Sequence, residues 1–446
     1  MANNERTTCL VVGGGPAGMV LGLLLARAGV EVTVLEKHAD FLRDFRGDTV
    51  HASTLTLLDE LGLAERFEKV PHRLMDRMMG QLDGGTVQLA DLRRLPGAHQ
   101  HIALVPQWDF LDMIAEAAEE ERSFHLRRNA EVTGLVRDGG RVGGVRYVDR
   151  VTGEEHELRA SLTVAADGRD SVVRDAAGMV PRSFGVPMDV WWFRLPRHEG
   201  DPTGGVGRFS TGHFCVMIDR GEYWQCGYLI RKGSDTALRA AGIEELQRRF
   251  AGLLPWMADR VGELKSWDDV KLLDVKLERL RRWDADGLLL IGDAAHAMSP
   301  VGGVGINLAV ADAVATARLV APALRDGGVV PRPVLRRVQR RRWWPTALIQ
   351  GAQRLAHKAI LGPAVAASPT ASTPNPAAVP MAGMLGHPDG DPLTPAPAAS
   401  LPLPMRLLQR FPVLQGVPAR LVAIGPLPEH APDWARRSPE QATTPR

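Results

Sequence analysis

Between Cys9 and His38 the chain reads CLVVGGGPAGMVLGLLLARAGVEVTVLEKH, and two structures compete for this stretch. Seventeen uncharged residues, Leu10 to Ala26, follow Arg6 and end in Ala26-Arg27-Ala28, the outline of a signal peptide with a small-residue cleavage site. A signal peptide needs an apolar helix, and Gly13-Gly14-Gly15-Pro16 would break one, because glycine and proline are the poorest helix formers. A nucleotide-binding turn wants the same residues where they stand. Residues 9–12 form a short apolar strand, and Gly13, Gly15 and Gly18 give G-x-G-x-x-G. The first glycine permits the tight turn, the second lets the backbone approach a pyrophosphate, and the third lets helix and strand pack closely. Pro16 and Ala17 open the helix, where the missing proline N–H is no loss, and Gly29 ends it. Residues 31–35 make a second strand, followed by Glu36 and Lys37. Glu36 lies eighteen residues after Gly18, where a carboxylate accepts both hydroxyls of an adenosine ribose. The pyrophosphate then sits on the helix N-terminus. Strand, turn, helix, strand and acid in register predict a dinucleotide site.

The chain has 446 residues, enough for two or three domains, and a net charge of +2 with no basic stripe of interleaved aromatics argues against nucleic acid as a partner. Cys9, Cys215 and Cys226 form no C-x-x-C, so no metal site is expected, and scarce cysteine fits a cytoplasmic protein. With the first apolar run assigned to the nucleotide turn, no transmembrane segment is expected.

Farther along, leucines 55, 58, 61 and 63 predict an amphipathic helix, and another starts near Gln107. Residues 130–165 alternate like a meander, with Asp138-Gly139-Gly140 as a hairpin turn. Eleven prolines fall between Pro363 and Pro404, among Ala, Ser, Thr and Gly, so 363–404 is read as a flexible excursion. A basic and apolar stretch at 405–428 is expected to dock on the body. Weak contact with a membrane or a partner by 405–425 is the alternative, and 429–446 is read as a disordered tail.

Two more motifs complete the set. In LTVAADGRDSVVR a buried strand ends at Asp167-Gly168, which by itself reads as a structural turn. In LLLIGDAAHAMSPVGGVGINLA a strand ends at Gly292-Asp293, Pro300 and a glycine run follow, and a helix opens near Gly305. His296 in this stretch is read as ordering the turn rather than as a base.

GGGPAG, then DG, then GDAAH with P-x-G-G-x-G-x-N, in this order, resembles the class A flavoprotein monooxygenases, the para-hydroxybenzoate hydroxylase family, over roughly residues 7–350. The resemblance implies an α/β (α+β) fold. A Rossmann-like FAD-binding domain would comprise 1–74, 100–182 and 268–330. A mostly antiparallel substrate-binding β-sheet domain would take 75–99 and 183–267, and a C-terminal helix 331–362. It implies bound FAD, with NAD(P)H as a transient co-substrate and O2, in a monomer or homodimer. Glu36 would hold the ribose and Asp293 the ribityl chain. Arg46 and Gln107 would touch the cofactor, and Pro300, Gly302, Gly303, Val304, Gly305 and Ile306 would lie along the isoalloxazine with Asn307 close by. A helix N-terminus after Gly305 carries about half a positive charge, which suits an anionic reduced flavin. The activity implied is hydroxylation of an aromatic or polyketide-like small molecule through a C4a-hydroperoxyflavin. An oxidase or dehydrogenase without oxygen insertion is the alternative, and then a flavin halogenase. Residues 191–196, WWFRLP, come close to the halogenase pattern W-x-W-x-I-P but miss it, and no lysine stands at a matching motif position.

The same family places the substrate between the flavin and the second sheet. Alternation puts Trp191 and Phe193 on one strand face, with Trp192 and Arg194 on the other. Trp191, Phe193, Phe214, Tyr223 and Trp224 are taken as candidate substrate-lining residues, and Tyr223, Arg194 and His213 as candidate proton-removing groups.

Overall fold

The computed structural model describes residues 5–42, 49–83, 85–202, 204–210, 213–358 and 403–437. Arg46, nearly all of the proline-rich segment and the end of the tail lie outside them.

The first sheet is built on four parallel pairings. Glu5–Val12 lies between Val32–Leu35 and Glu155–Ala165, with Phe124–Arg127 and Leu288–Leu290 beyond them. An antiparallel hairpin, Ala130–Asp138 and Arg141–Asp149, turning at Gly139-Gly140, continues the sheet from Glu155–Ala165. Parallel register brings strand ends together: Val12 pairs with both Leu35 and Ala165, and Ala165 with Leu290. Three sequence-distant turns, after residues 12, 165 and 290, therefore emerge at one edge, the carboxyl end where doubly wound sheets bind ligands. The helices Pro16–Arg27 and Gly305–Arg325 pack on each other against this sheet. The second is the one helix among the described residues long and apolar enough to cross a membrane, and most of it is buried as a core helix.

The second sheet has seven strands, in the order Lys271–Leu273, Met188–Pro196, Tyr223–Arg231, His213–Asp219, Gly205–Ser210, Arg77–Leu82, Gly85–Asp91. All neighbours are antiparallel except Gly205–Ser210 with Arg77–Leu82. The sheet thus reaches residue 273, beyond the expected limit of 267, because Val190–Trp192 find edge partners in Leu273–Lys271. Helix Ile243–Leu253 covers one face, burying Leu246 and Phe250 with Trp191, Phe193 and Trp224.

The helix Arg332–Ala356 follows, and 405–423 lies against the second sheet's edge, with Ala419 and Ala423 buried in the same cluster as Leu92 and Leu95. The expectation of a disordered tail fails for 429–437. Glu429 is buried and accepts from Arg341 Nε at 2.6 Å, Arg318 Nη1 at 3.0 Å and Arg342 Nη1 at 3.4 Å. Ala431 and Ala435 enter the main core, and His430 meets Glu60 at 2.8 Å. A short polar string is held here by partners more than eighty residues away, which local composition does not reveal.

Candidate active site

At the carboxyl edge of the first sheet a cleft of about 300 Å³ is lined by Gly13, Gly14, Gly15, Pro16, Ala17, Glu36, Lys37, Gln107, Asp167, Gly168, Asp293, Gly305 and Ile306. Gly13 adopts φ of +102°, and a Cβ there would come within 2.5 Å of the Ala166 carbonyl oxygen. Gly18 lies behind the turn, where a Cβ would strike the Gly13 oxygen at 1.9 Å. A Cβ on Gly15 would meet nothing within 4 Å, so the turn presents bare backbone to the cleft. Glu36 is buried, accepting from the Gly14 N–H at 2.9 Å and, through its other oxygen, from His38 N–H at 3.1 Å. The helix from Pro16 has no acidic residue in its first turn, so its N-terminus aims positive potential at the cleft. Cradle, helix end and carboxylate fit the pyrophosphate and ribose of FAD.

Asp167 lines the cleft, but its oxygens accept from Ser171 Oγ at 2.5 Å and the Val173 N–H at 3.2 Å. Burial pushes its carboxyl above the ordinary value despite those bonds. Gly292 is not in the lining. Its N–H donates to Asp312 at 3.0 Å, and its Cα packs toward Ala17 and Ala309. His296 is buried behind the turn, 2.5 Å from Asp312 and against Trp283, which suits ordering rather than catalysis.

A second cavity, of about 380 Å³, lies between this edge and the open face of the second sheet. Arg169, Asp293, Gly305 and Ile306 line both spaces, so the two meet there. Arg169 Nε donates to Asp293 Oδ2 at 3.2 Å at this junction. Pro300, Gly302 and Gly303 line the second cavity, and a Cβ on Gly305 would meet nothing. Val304 and Asn307 face away from it. The Asn307 amide oxygen instead accepts from His51 N–H at 2.9 Å and Thr54 Oγ at 2.7 Å, tying segment 49–54 to the core helix.

The walls of this cavity are apolar. Trp192, Phe209 and Phe214 line it with Val190, Val216 and Ile218, and Met75, Met78, Met79, Met188 and Met298 add five flexible thioethers. Of the five residues expected to line a substrate site, only Phe214 does so. Trp191, Phe193 and Trp224 occupy the other face, under helix Ile243–Leu253. Trp191 donates its indole N–H to Asp235 at 2.6 Å, and Phe193 meets Phe250 edge-on at 5.0 Å. Alternation sorts these residues into two faces, but the face toward the cavity is the Trp192 face, and only packing by a distant helix decides that. Tyr223 lies outside, with the exposed Arg194 guanidinium over its ring at 5.0 Å. His213 is buried against the Tyr228 hydroxyl at 2.5 Å, with burial lowering its pKa. None of the three candidate proton-removing groups reaches the cavity.

Thr49, His51 and Arg169 are cavity residues that the sequence did not single out. Thr49 donates to the Gly303 carbonyl at 2.9 Å; His51 Nδ1 lies 2.8 Å from the Val422 oxygen and Nε2 lies 3.2 Å from Thr49 Oγ. Burial lowers the His51 pKa to about 4, the Val422 bond acting the other way. Arg169 carried a signal, two residues past Asp167 in the DGRDS turn; Thr49 and His51 carried none.

A phosphate cradle joined to an apolar cavity defines a dinucleotide-binding protein with room for a small molecule beside the cofactor cleft. A family model described as FAD binding domain matches residues 6–332. The chain is 36% identical over 328 residues to a 6-methylpretetramide 4-monooxygenase of Streptomyces rimosus, covering 73% of this chain and 77% of that one. It is 28% identical over 337 residues to a kynurenine 3-monooxygenase of Salinispora arenicola, with 70% and 72% covered. Among solved structures, an anhydrotetracycline hydroxylase of Streptomyces rimosus superposes with a TM-score of 0.67 at 23% identity, over 94% of this chain and 76% of that one, a likeness of fold. The chain belongs to the FAD-binding-domain family of class A flavoprotein monooxygenases. It is an FAD-dependent monooxygenase, with NAD(P)H as co-substrate.

Proposed function

We propose that this enzyme hydroxylates a polycyclic aromatic, polyketide-like substrate held in the second cavity, in secondary metabolism. The observation that carries this reading is the junction: an apolar cavity of about 380 Å³ meets the FAD cleft at Asp293 and Gly305. That volume falls within the roughly 300–1,000 Å³ of sites for drug-sized ligands. Methionine-rich walls adapt to a broad planar skeleton and give favourable sulfur–aromatic contacts. The similarity to a protein named for 6-methylpretetramide supports the same class.

In this reading the Gly13–Gly15 backbone and the Pro16 helix end hold the pyrophosphate, Glu36 the ribose, and Asp293, oriented by Arg169, the ribityl chain. Pro300 to Gly303 would flank the ring system, and backbone N–H groups at Gly305 and Ile306 would favour negative charge there. Bound FAD supplies reduction by NAD(P)H and the activation of O2. The protein's part is to orient the aromatic ring against that site and to keep water out, which the apolar walls do. Cytoplasmic placement fits three buried free thiols.

The test is NAD(P)H oxidation by the purified yellow protein with a panel of polycyclic phenols under labelled O2. Substrate-stimulated oxidation with one labelled oxygen atom in the product is expected. Stimulated oxidation that releases hydrogen peroxide without label would mean that the compound binds without being hydroxylated, and no stimulation by any polycyclic phenol would overturn the proposed substrate class.

A further inference from the structure

A surface helix is normally apolar inward and polar outward. The segment from Met405 to Ala423 is apolar on both sides. Inward, Met405 packs on Val87, Ala419 and Ala423 are fully buried, and Gln415 accepts from Gln88 at 2.8 Å. Outward, Leu407, Phe411, Val413, Leu414 and Val417 are 40–74% exposed within eleven residues of sequence. Phe411 to Leu414 form the tip where helices Leu403–Arg410 and Gly416–Ala423 meet. Arg406, Arg410 and Arg420 are exposed around it, and no acidic residue occurs between Met405 and Pro428.

We propose that this tip docks the enzyme on an anionic lipid surface. Contiguous exposed apolar residues mark an interaction site. A short basic and apolar element with an aromatic at its apex has the chemistry of interfacial insertion, the apolar side chains entering the headgroup boundary and the arginines meeting anionic lipid. A second copy of this chain is a poorer occupant. A two-fold contact sets a patch against itself, and here it would bring three arginines to three arginines with no acid from this segment between them. The docking element also abuts the cavity. Val422, on the inner side of the second helix, contributes the carbonyl bonded by His51, and a Cβ on Gly302 would lie 3.8 Å from its side chain. An apolar ligand dissolved in lipid would thus be delivered beside the wall of the site.

The test is sedimentation of the holoenzyme with vesicles of phosphatidylglycerol mixed with phosphatidylcholine, and with phosphatidylcholine alone. Binding to the mixed vesicles that weakens with salt is expected, with little binding to the neutral ones. Phe411→Ser with Val413→Ser should lower partitioning about tenfold or more, and Arg410→Gln with Arg420→Gln by about fivefold per arginine at low salt. All four side chains are exposed, so melting temperature and flavin content should hold in both variants and separate lost docking from misfolding. No binding to the mixed vesicles, equal binding to neutral ones, or binding unaffected by the serine pair would overturn the proposal. So would a concentration-dependent dimer, seen by light scattering, that the serine pair abolishes.

Discussion

Arg342 donates from Nε to Asp312 Oδ1 at 3.0 Å, and both side chains are buried. Asp312 Oδ2 accepts from the Gly292 N–H and from His296, and Arg342 reaches Glu429 in the C-terminal segment. Burial alone would raise the Asp312 pKa, but the charges of His296 and Arg342, with the Gly292 N–H, hold it below the ordinary value. The pair therefore links the turn before Asp293 to a segment more than a hundred residues later.

Removing one partner of a buried ion pair leaves an uncompensated charge, at a cost of about 3–5 kcal/mol. Glu429→Ala and Arg342→Met should each destabilise by that order in urea unfolding. Arg436→Ala, at the exposed pair with Glu60, should cost about 0–1 kcal/mol. Equal effects at all three sites would show that the buried network has no special weight.

His51 gives stability a pH dependence with a definite sign. The folded value is about 4 against an ordinary 6.5. Between these the unfolded chain binds a proton and the folded chain does not, so stability rises with pH across the window. The contribution, about 3 kcal/mol, is complete above pH 6.5 and lost as pH falls toward 4. His213 and His357 shift in the same direction. Urea titrations of His51→Gln should show a shallower slope between pH 6.5 and 4 than the parent; parallel curves would refute the assignment.

The cradle makes a cofactor prediction. Gly13→Ala forces both a disfavoured φ and a backbone clash, so that variant should purify without flavin colour. Glu36→Gln keeps shape and loses charge-assisted acceptance worth about 1.5–3 kcal/mol, which weakens FAD binding about tenfold to a hundredfold. Flavin fluorescence titration of the apoprotein measures it, and unaltered affinity would remove Glu36 from the site.

Substitutions on the two sides of the second sheet separate its faces. Gly207→Leu, on the cavity side, should fill the space and raise KM for the substrate with little change in melting temperature. Trp191→Phe deletes the hydrogen bond to Asp235 on the opposite face and should cost about 1–3 kcal/mol of stability with KM unchanged. A KM change on Trp191→Phe alone would reverse the assignment of faces.

The parts of this protein whose physics is local were legible in its sequence. A glycine turn, a proline at a helix start and a carboxylate at a strand end act over a few residues, so Gly13, Gly15, Pro16 and Glu36 were legible along with the first strand and helix. The DG and GD turns were legible as turns for the same reason. Parallel register then assembled three of these turns at one sheet edge. Tertiary structure alone decided which side of Met188–Pro196 faces the cavity. Alternation sorts side chains into two faces, but only the helix fifty residues later, packing over Trp191 and Phe193, leaves Trp192 for the cavity. It alone ordered residues 429–437, because Glu429 finds its arginines on a helix eighty residues upstream. The roles of Thr49, His51 and Asn307 belong with these. Each is set by a partner some 250 or more residues away, and no spacing within the chain encodes such a meeting.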